Sequence, residues 1–437
     1  MTEITKVRLL YTVAFMDLFA CSMAVPLLSV HLRGLGASHF TIGVVSSLYA
    51  GLQLVSSPII GSWSDIRGHH FVLQLTLLIC SFLYFGLGAS AAIPVIMLTR
   101  VGLGLLKHTQ TLCRTLLTDM VPSKDQMVVQ SRLVSFGSVG FIVGPVIGGH
   151  MTELNNGFYY VCCLVMIFFW INFAIVYFYL PNVPRTHRKN STEKSTDLVD
   201  GLSKDCGYVT IIPEKVDNTS SKKKIGQKVL EFGFFQAVTH LSQVNWSVYW
   251  DVFALRFLLG FSQAVHYQNF SLMLKDHYGI TPTGIGYTIS LQGLIGATTG
   301  FLIGWISKFY KNDKDNSIRT LHAFGVLTLS FLFMNLASSL AFFLLCLVPL
   351  AAAGSLLRIT TSEIILQRTE PDQRGSLIGS AQSMSSIARL VAPLCSGLAF
   401  DWFGFYGTSL LRLAAPVTAT ALSAVLVLRG KKTSKVA

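Results

Sequence analysis

The chain has 437 residues, of which 51% are hydrophobic and only 13% charged, and its mean hydropathy is +0.55. A water-soluble domain of that length needs a larger polar surface, so the balance excludes one. The net charge of +13 would suit a nucleic-acid partner, but its placement along the chain excludes that reading too.

In chain order, apolar runs of roughly 18 to 25 residues, the length that crosses a bilayer as a helix, follow one another. They fall at roughly 9–31, 40–61, 71–92, 94–116, 133–152, 157–181, 248–270, 284–306, 320–338, 341–366, 376–399 and 407–428. The runs lack the period-2 alternation of a membrane barrel, and lipid-exposed backbone must satisfy its own hydrogen bonds, so the pattern predicts an all-α membrane protein of twelve helices. With the N-terminus placed in the cytoplasm, 26 of the 34 Lys and Arg residues lie in or beside segments on that side. Only Arg33 and Lys275 lie in the loops opposite. This bias predicts that both termini are cytoplasmic. Seven of the eight cysteines fall in spans and Cys206 in a basic loop, so neither a disulfide nor a metal site is expected.

The first span carries Asp17 near its middle, nine residues before Pro26-Leu27-Leu28. The second closes on Gly61-x-x-x-Asp65-Ile66-Arg67-Gly68-His69-His70. In the fourth, Arg100, Gly104, Lys107 and Thr111 recur at helical spacing and share one face, with His108 beside Lys107. Lys107 or His108 is expected to reach the depth of Asp17. Two readings stand: a pair that carries a proton or binds a charged group, and a buried pair that fixes helix packing. The fifth span reads Gly140-x-x-x-Gly144-Pro145-x-x-Gly148-Gly149, small residues that let backbones approach closely, with a proline to bend the helix.

Residues 182–247 break the apolar pattern with Pro, Ser, Asn and charge, including Lys222-Lys223-Lys224, and read as a largely disordered cytoplasmic linker. Its last third, 228–246, reads equally as an amphipathic helix on the inner leaflet or as a lead-in to the seventh span. The linker separates an N-terminal unit, 1–181, from a C-terminal one, 248–437. Thr41 to Asp65 slides onto Gly284 to Lys308 at a fixed offset, pairing Ile42-Gly43 with Ile285-Gly286 and Ile60-Gly61 with Ile303-Gly304. Further on, Gly144-Pro145 pairs with Ala392-Pro393 and Gly149 with Gly397. Such ordered matches predict two pseudo-symmetric six-helix bundles with a site between them.

The glycine-proline series of the fifth span, the loop after the second, and the duplicated six-span unit together resemble the major facilitator superfamily. The resemblance covers all but the linker. It implies a carrier working by alternating access, a helix-packing antiporter motif at Gly140, Gly144, Pro145, Gly148 and Gly149, and a cytoplasmic gating motif at Gly61, Asp65, Arg67 and Gly68. Ile66, His69 and His70 depart from the family pattern at basic positions. Asp17 before Pro26-Leu27-Leu28, and Asp119-x-x-Pro122, are similar to the tetracycline-type drug/proton antiporter branch.

Charge inside a membrane is costly, so each intramembrane ionisable residue is a functional candidate. By the same resemblance the first, fourth, seventh and tenth spans line the cavity. The candidates for substrate or ion binding are Asp17, Arg100, Lys107, His108, Arg256, His266, Arg358, Glu363 and Arg389. Six basic residues within spans face three acidic ones, Asp17, Asp251 and Glu363, which favours an anionic solute. Arg256 and Arg412 are candidates for snorkelling to an interface. Asp17 and Glu363 are the candidate proton carriers. No nucleophile elbow, metalloprotease motif or phosphate loop occurs, so no catalytic residues and no cofactor are expected. The partners expected are the bilayer, a small solute and protons, without nucleic acid, and the chain is expected to act as a monomer. The rival class is a non-transporting sensor or scaffold on the same fold.

Overall fold

The computed structural model describes residues 3–122, 125–180, 246–311, 313, 315–369 and 374–433. The linker up to residue 245, with Cys206 and most of the stretch 228–246, lies outside the described residues.

All regular structure among the described residues is helical. The first half holds α1 (Glu3–Gly34), α2 (His39–Arg67), α3 (His69–Ala89), α4 (Ile93–Leu106), α5 (Thr109–Met120), α6 (Gln126–Thr152) and α7 (Gly157–Tyr179). The second holds α8 (Trp246–Tyr278), α9 (Pro282–Lys308), α10 (Ser317–Asn335), α11 (Leu340–Arg368) and α12 (Arg374–Thr433). A straight helix of 60 residues would run about 90 Å, three bilayer cores. α12 instead turns back at Gly404, whose φ of 62° and ψ of −148° break the helix, and so supplies the last two spans. α4 and α5 together make the fourth span, giving six spans in each half.

Helix starts follow local chemistry. The Ser38 and Thr281 side chains accept from the amides of Thr41 and Gly284, at 3.1 and 3.4 Å, at the equivalent starts of α2 and α9. Gly68, at φ 98°, makes the tight passage from α2 to α3.

The fifth-span glycines have two jobs. A Cβ at Gly140 would come 2.6 Å from the Phe15 carbonyl, one at Gly144 2.6 Å from that of Phe19, and one at Gly148 would collide with that of Met23. This i, i+4, i+8 row seats α6 directly on the α1 backbone. Gly149 faces the other half, where a Cβ would lie 2.6 Å from the Pro282 carbonyl, and the Pro145 carbonyl lies against Gly286. The matching seam joins Gly43 to the Pro393 carbonyl and Gly397 to the His39 carbonyl.

These two seams define the state of the molecule. Gly61 and Gly304 lie 18 residues beyond Gly43 and Gly286, five turns along the same helix faces. A Cβ at either would meet nothing within 4 Å. The halves therefore touch at the face away from the chain termini and part towards the terminal face.

Candidate functional site

Asp17 is fully buried in α1. The Lys107 ammonium lies 2.6 and 2.8 Å from its two carboxylate oxygens, and Gln110 Nε2 donates to Oδ2 at 3.0 Å. The sequence expectation of an Asp–Lys pair thus matches the geometry, but the fourth span is not one helix. Lys107 (φ −76°, ψ 74°) and His108 (φ −119°, ψ 22°) leave helical geometry between α4 and α5. The break frees carbonyls that α2 satisfies: Ser56 Oγ donates to Gly104 O and Gln53 Nε2 to Lys107 O, both at 3.1 Å. Because the one Ser56 hydroxyl hydrogen goes to Gly104, His108 Nε2, 2.7 Å away, is the donor to Ser56 Oγ. His108 therefore anchors the break and does not pair with Asp17. The expected common face from Arg100 to Thr111 is interrupted there, and Thr111 is exposed. Gly104 lets α4 reach the Tyr49 carbonyl of α2. Arg100 is buried with its guanidinium 4.1 Å over the Tyr49 ring.

The second half differs. Arg256 donates to Thr361 Oγ1 at 2.9 Å and Ser362 Oγ at 2.8 Å. Arg358 donates to Gln263 Oε1 at 3.0 Å and Ser355 Oγ at 2.8 Å, and Arg389 to Ser386 Oγ at 3.1 Å. Arg358 and Arg389 are solvent-exposed although they sit mid-bundle. Arg389 lies within electrostatic range of Tyr49 across the divide. Beside Arg358 a cavity of about 20 Å³, room for one water, is lined by His266 and Gln292. Both are buried, and His266 and Gln292 approach each other without a further hydrogen-bond partner.

Glu363 is not free in the cavity. It forms an ion pair with Arg319, which also donates to Ser307 Oγ at 2.9 Å. Asp251 pairs with Arg368 at 2.8 Å. Both arginines read as loop residues from sequence because the helices extend further than the apolar runs: α10 begins at Ser317 and α11 ends at Arg368. Arg412 does not snorkel. It is buried against the Asn335 side-chain oxygen and lies 5.3 Å from the Phe331 ring centre. Each of the three intramembrane acids thus has its own base, which leaves Arg100, Arg256, Arg358, Arg389 and Arg412 without a carboxylate partner among the described residues. Gln110, Gln53, Ser56 and Gln292 escaped sequence reasoning, since single uncharged polar residues in apolar runs give little signal.

At the α2–α3 junction, His69 Nε2 lies 3.6 Å from Asp65 and 3.3 Å from Asp119, and His70 meets the Val176 carbonyl at 2.9 Å. These contacts stay within the first half. Arg67 is exposed, and Gly61 stands open on the parted face.

Comparison with known proteins places this geometry. The profile described as Major Facilitator Superfamily matches residues 10–314 and 252–437. Solute carrier family 22 member 18 of Rattus norvegicus is 23% identical over 402 residues, covering 91% of this chain and 88% of the relative. A bacterial homologue of the human lysosomal transporter Spinster, solved inward-facing, superposes with a TM-score of 0.68 at 15% identity, covering 98% and 95% of the two chains. The human organic anion transporter MFSD10 superposes with a TM-score of 0.63 at 17% identity, covering 97% and 100%.

Proposed function

The chain belongs to the major facilitator superfamily and is a secondary transporter; we propose that its cargo is a small organic anion, moved by alternating access in exchange for protons. The observation that carries the cargo class is the set of guanidinium groups of Arg256, Arg358 and Arg389, which meet only neutral oxygens among the described residues. Cations at mid-bundle depth without a carboxylate partner favour an anion. Arg358, with His266 and Gln292 beside it, offers one end of the site. Arg389 and Arg100, both near Tyr49, offer the other. A fold neighbour is itself an organic anion transporter, so the scaffold accommodates such cargo.

Proton exchange is assigned to Asp17 with Lys107. They meet where the fourth span is broken, the kind of place in which transporters handle ions. Opening of the opposite face would shift α1 and α4 and loosen the pair. The loop-charge bias supports a cytoplasmic terminal face, so the conformation described is open to the cytoplasm. Asp65, Arg67 and Gly68 would then act as a gate in the opposite state, when that face closes.

The test is uptake into liposomes by the purified full chain, with a panel of labelled organic anions and cations, with and without a pH gradient. Competition by anions and a lower anion affinity in Arg358→Gln are expected. Competition by organic cations alone would overturn the cargo class. If Asp17→Asn still follows the pH gradient, the pair is structural and the proton step lies elsewhere.

A further inference from the structure

At the closed face each half grips the other by the same device. The Asp401 carboxylate, four residues after Gly397, accepts the Phe40 amide at the start of α2 at 3.1 Å. The Glu153 carboxylate, four residues after Gly149, accepts the Thr283 amide at the start of α9 at 3.2 Å. Phe40 and Thr283 are equivalent under the internal repeat, as are Glu153 and Asp401. Each acid occupies the anion-favouring end of a helix from the other half.

The first of these latches adjoins a cavity of about 170 Å³ that the transport cavity does not include. One wall is His39 of α2, from the first half, and the other walls come from α8 and α12, including Phe400, Phe405, Ser409 and Arg412. The His39 ring stacks on Phe400 with centroids 3.5 Å apart, and His277 lies parallel to Phe405 at 5.5 Å. Both His39 nitrogens, Ser409 Oγ and Arg412 Nε are buried without hydrogen-bond partners, in residues only 5–8% exposed. Buried polar atoms are nearly always satisfied, so four unmet ones at one cavity point to an occupant.

We propose that this cavity is a second ligand site, for a small flat organic acid, and that its occupant holds the adjoining face shut. The stacked walls fit a planar ring, and a cavity of roughly 150 Å³ suffices for benzene. Arg412 and Ser409, whose unmet Nε and Oγ lie just beneath the cavity wall, supply the donors for a carboxylate once the side chains turn towards it, and a His39 N–H adds a third. Asp276, exposed on the cavity lining, accepts from a hydroxyl at the far end of the ring. When α2 parts from α12, His39 leaves with it and the site loses a wall. The ligand therefore binds the closed-face state alone and shifts the population towards it.

The probe is 4-hydroxybenzoate on the full chain in detergent, with benzyl alcohol as the ring without a carboxylate. At about ten times its Kd the acid is expected to raise Tm by about 2–4 °C and to slow transport without competing with cargo. Benzyl alcohol should do neither. Ser409→Leu fills the cavity, and His39→Phe keeps the ring stack while removing both nitrogens; each should abolish the shift. Arg358→Gln, in the transport cavity, should keep it. A shift that survives both cavity variants, or is lost in Arg358→Gln, overturns the proposal, as does its absence in the unmodified chain.

Discussion

Asp17 in the first half is fully buried and is met by Lys107 at 2.6 Å and Gln110 at 3.0 Å, whereas Arg358 and Arg389 in the second are exposed and touch only neutral groups. The helix crossings differ in the same direction. In the first half three glycines seat α6 on the backbone of α1. Their equivalents in the second are Ala388, Ala392 and Ser396, all fully buried. The first half thus centres on a neutralised charge and a crossing whose glycines lie on α6, the second on open charge at mid-bundle and a crossing whose glycine, Gly260, lies on α8 against Ala388. In the proposed cycle the second half recognises the cargo, and the first supplies the rigid body and the ion step.

The largest effect should come from unbalancing the first half. Asp17→Asn leaves the Lys107 ammonium buried without a counter-charge, a change that typically costs about 3–5 kcal/mol. Thermal unfolding in detergent measures it. Adding Lys107→Met should restore most of the loss, because the double variant removes the charge as well as its partner. If the single variant is as stable as the parent, the first half is not held by this pair and the contrast between halves fails.

Arg358→Gln should do the reverse: little change in stability, since the side chain is exposed, and a loss of anion affinity of about 10–100-fold, the equivalent of about 1.4–2.7 kcal/mol. Isothermal titration or flux saturation reads it. A large fall in Tm would show that the second half also depends on its charges for folding.

Gly148→Ala probes the crossing. Its methyl would press on the Met23 carbonyl, and overpacking of this kind costs about 1–3 kcal/mol. Gly300→Ala, within α9 where a Cβ meets nothing within 4 Å, should instead be neutral or stabilising by up to about 1 kcal/mol, the helix preference of alanine over glycine. Equal effects at the two positions would remove the argument that the glycines of the fifth span act by close approach.

The sequence carried the fold because hydropathy and loop charge are summed over many residues. The Asp17–Lys107 pair was legible as well, since a charge in an apolar run stands out. The break at Lys107–His108 was not, because neither residue is a proline or a glycine and the freed carbonyls are satisfied by Gln53 and Ser56 from another helix. The pairing of Glu363 was hidden for a related reason. Its partner Arg319 lies just beyond the apolar run, where a loop and the first turn of a helix have the same composition. The carboxylate latches were equally hidden. Glu153 and Asp401 read as ordinary loop acids until the repeat is laid over the contacts.

The smallest effect separates the two latches. Glu153 is exposed, and hydrogen bonds from Thr281 foremost, then Thr283, hold its carboxyl below the usual glutamate range. Those bonds exist only while α6 and α9 meet, so the parted state should restore the ordinary value. The closed face therefore gains from the ionised carboxylate above about pH 4.3, the ordinary glutamate value. That contribution is lost as the pH falls through the lowered one. The rate of disulfide cross-linking between Thr152→Cys and Pro282→Cys, divided by that of a cysteine pair placed within one half so that thiolate titration cancels, should fall on acidification in the parent. It should be lower and flat over that pH range in Glu153→Gln, which can still accept one hydrogen bond but does not titrate. An unchanged acid response in Glu153→Gln would assign the sensitivity to Asp401 and leave the α6–α9 seam held by its glycines alone.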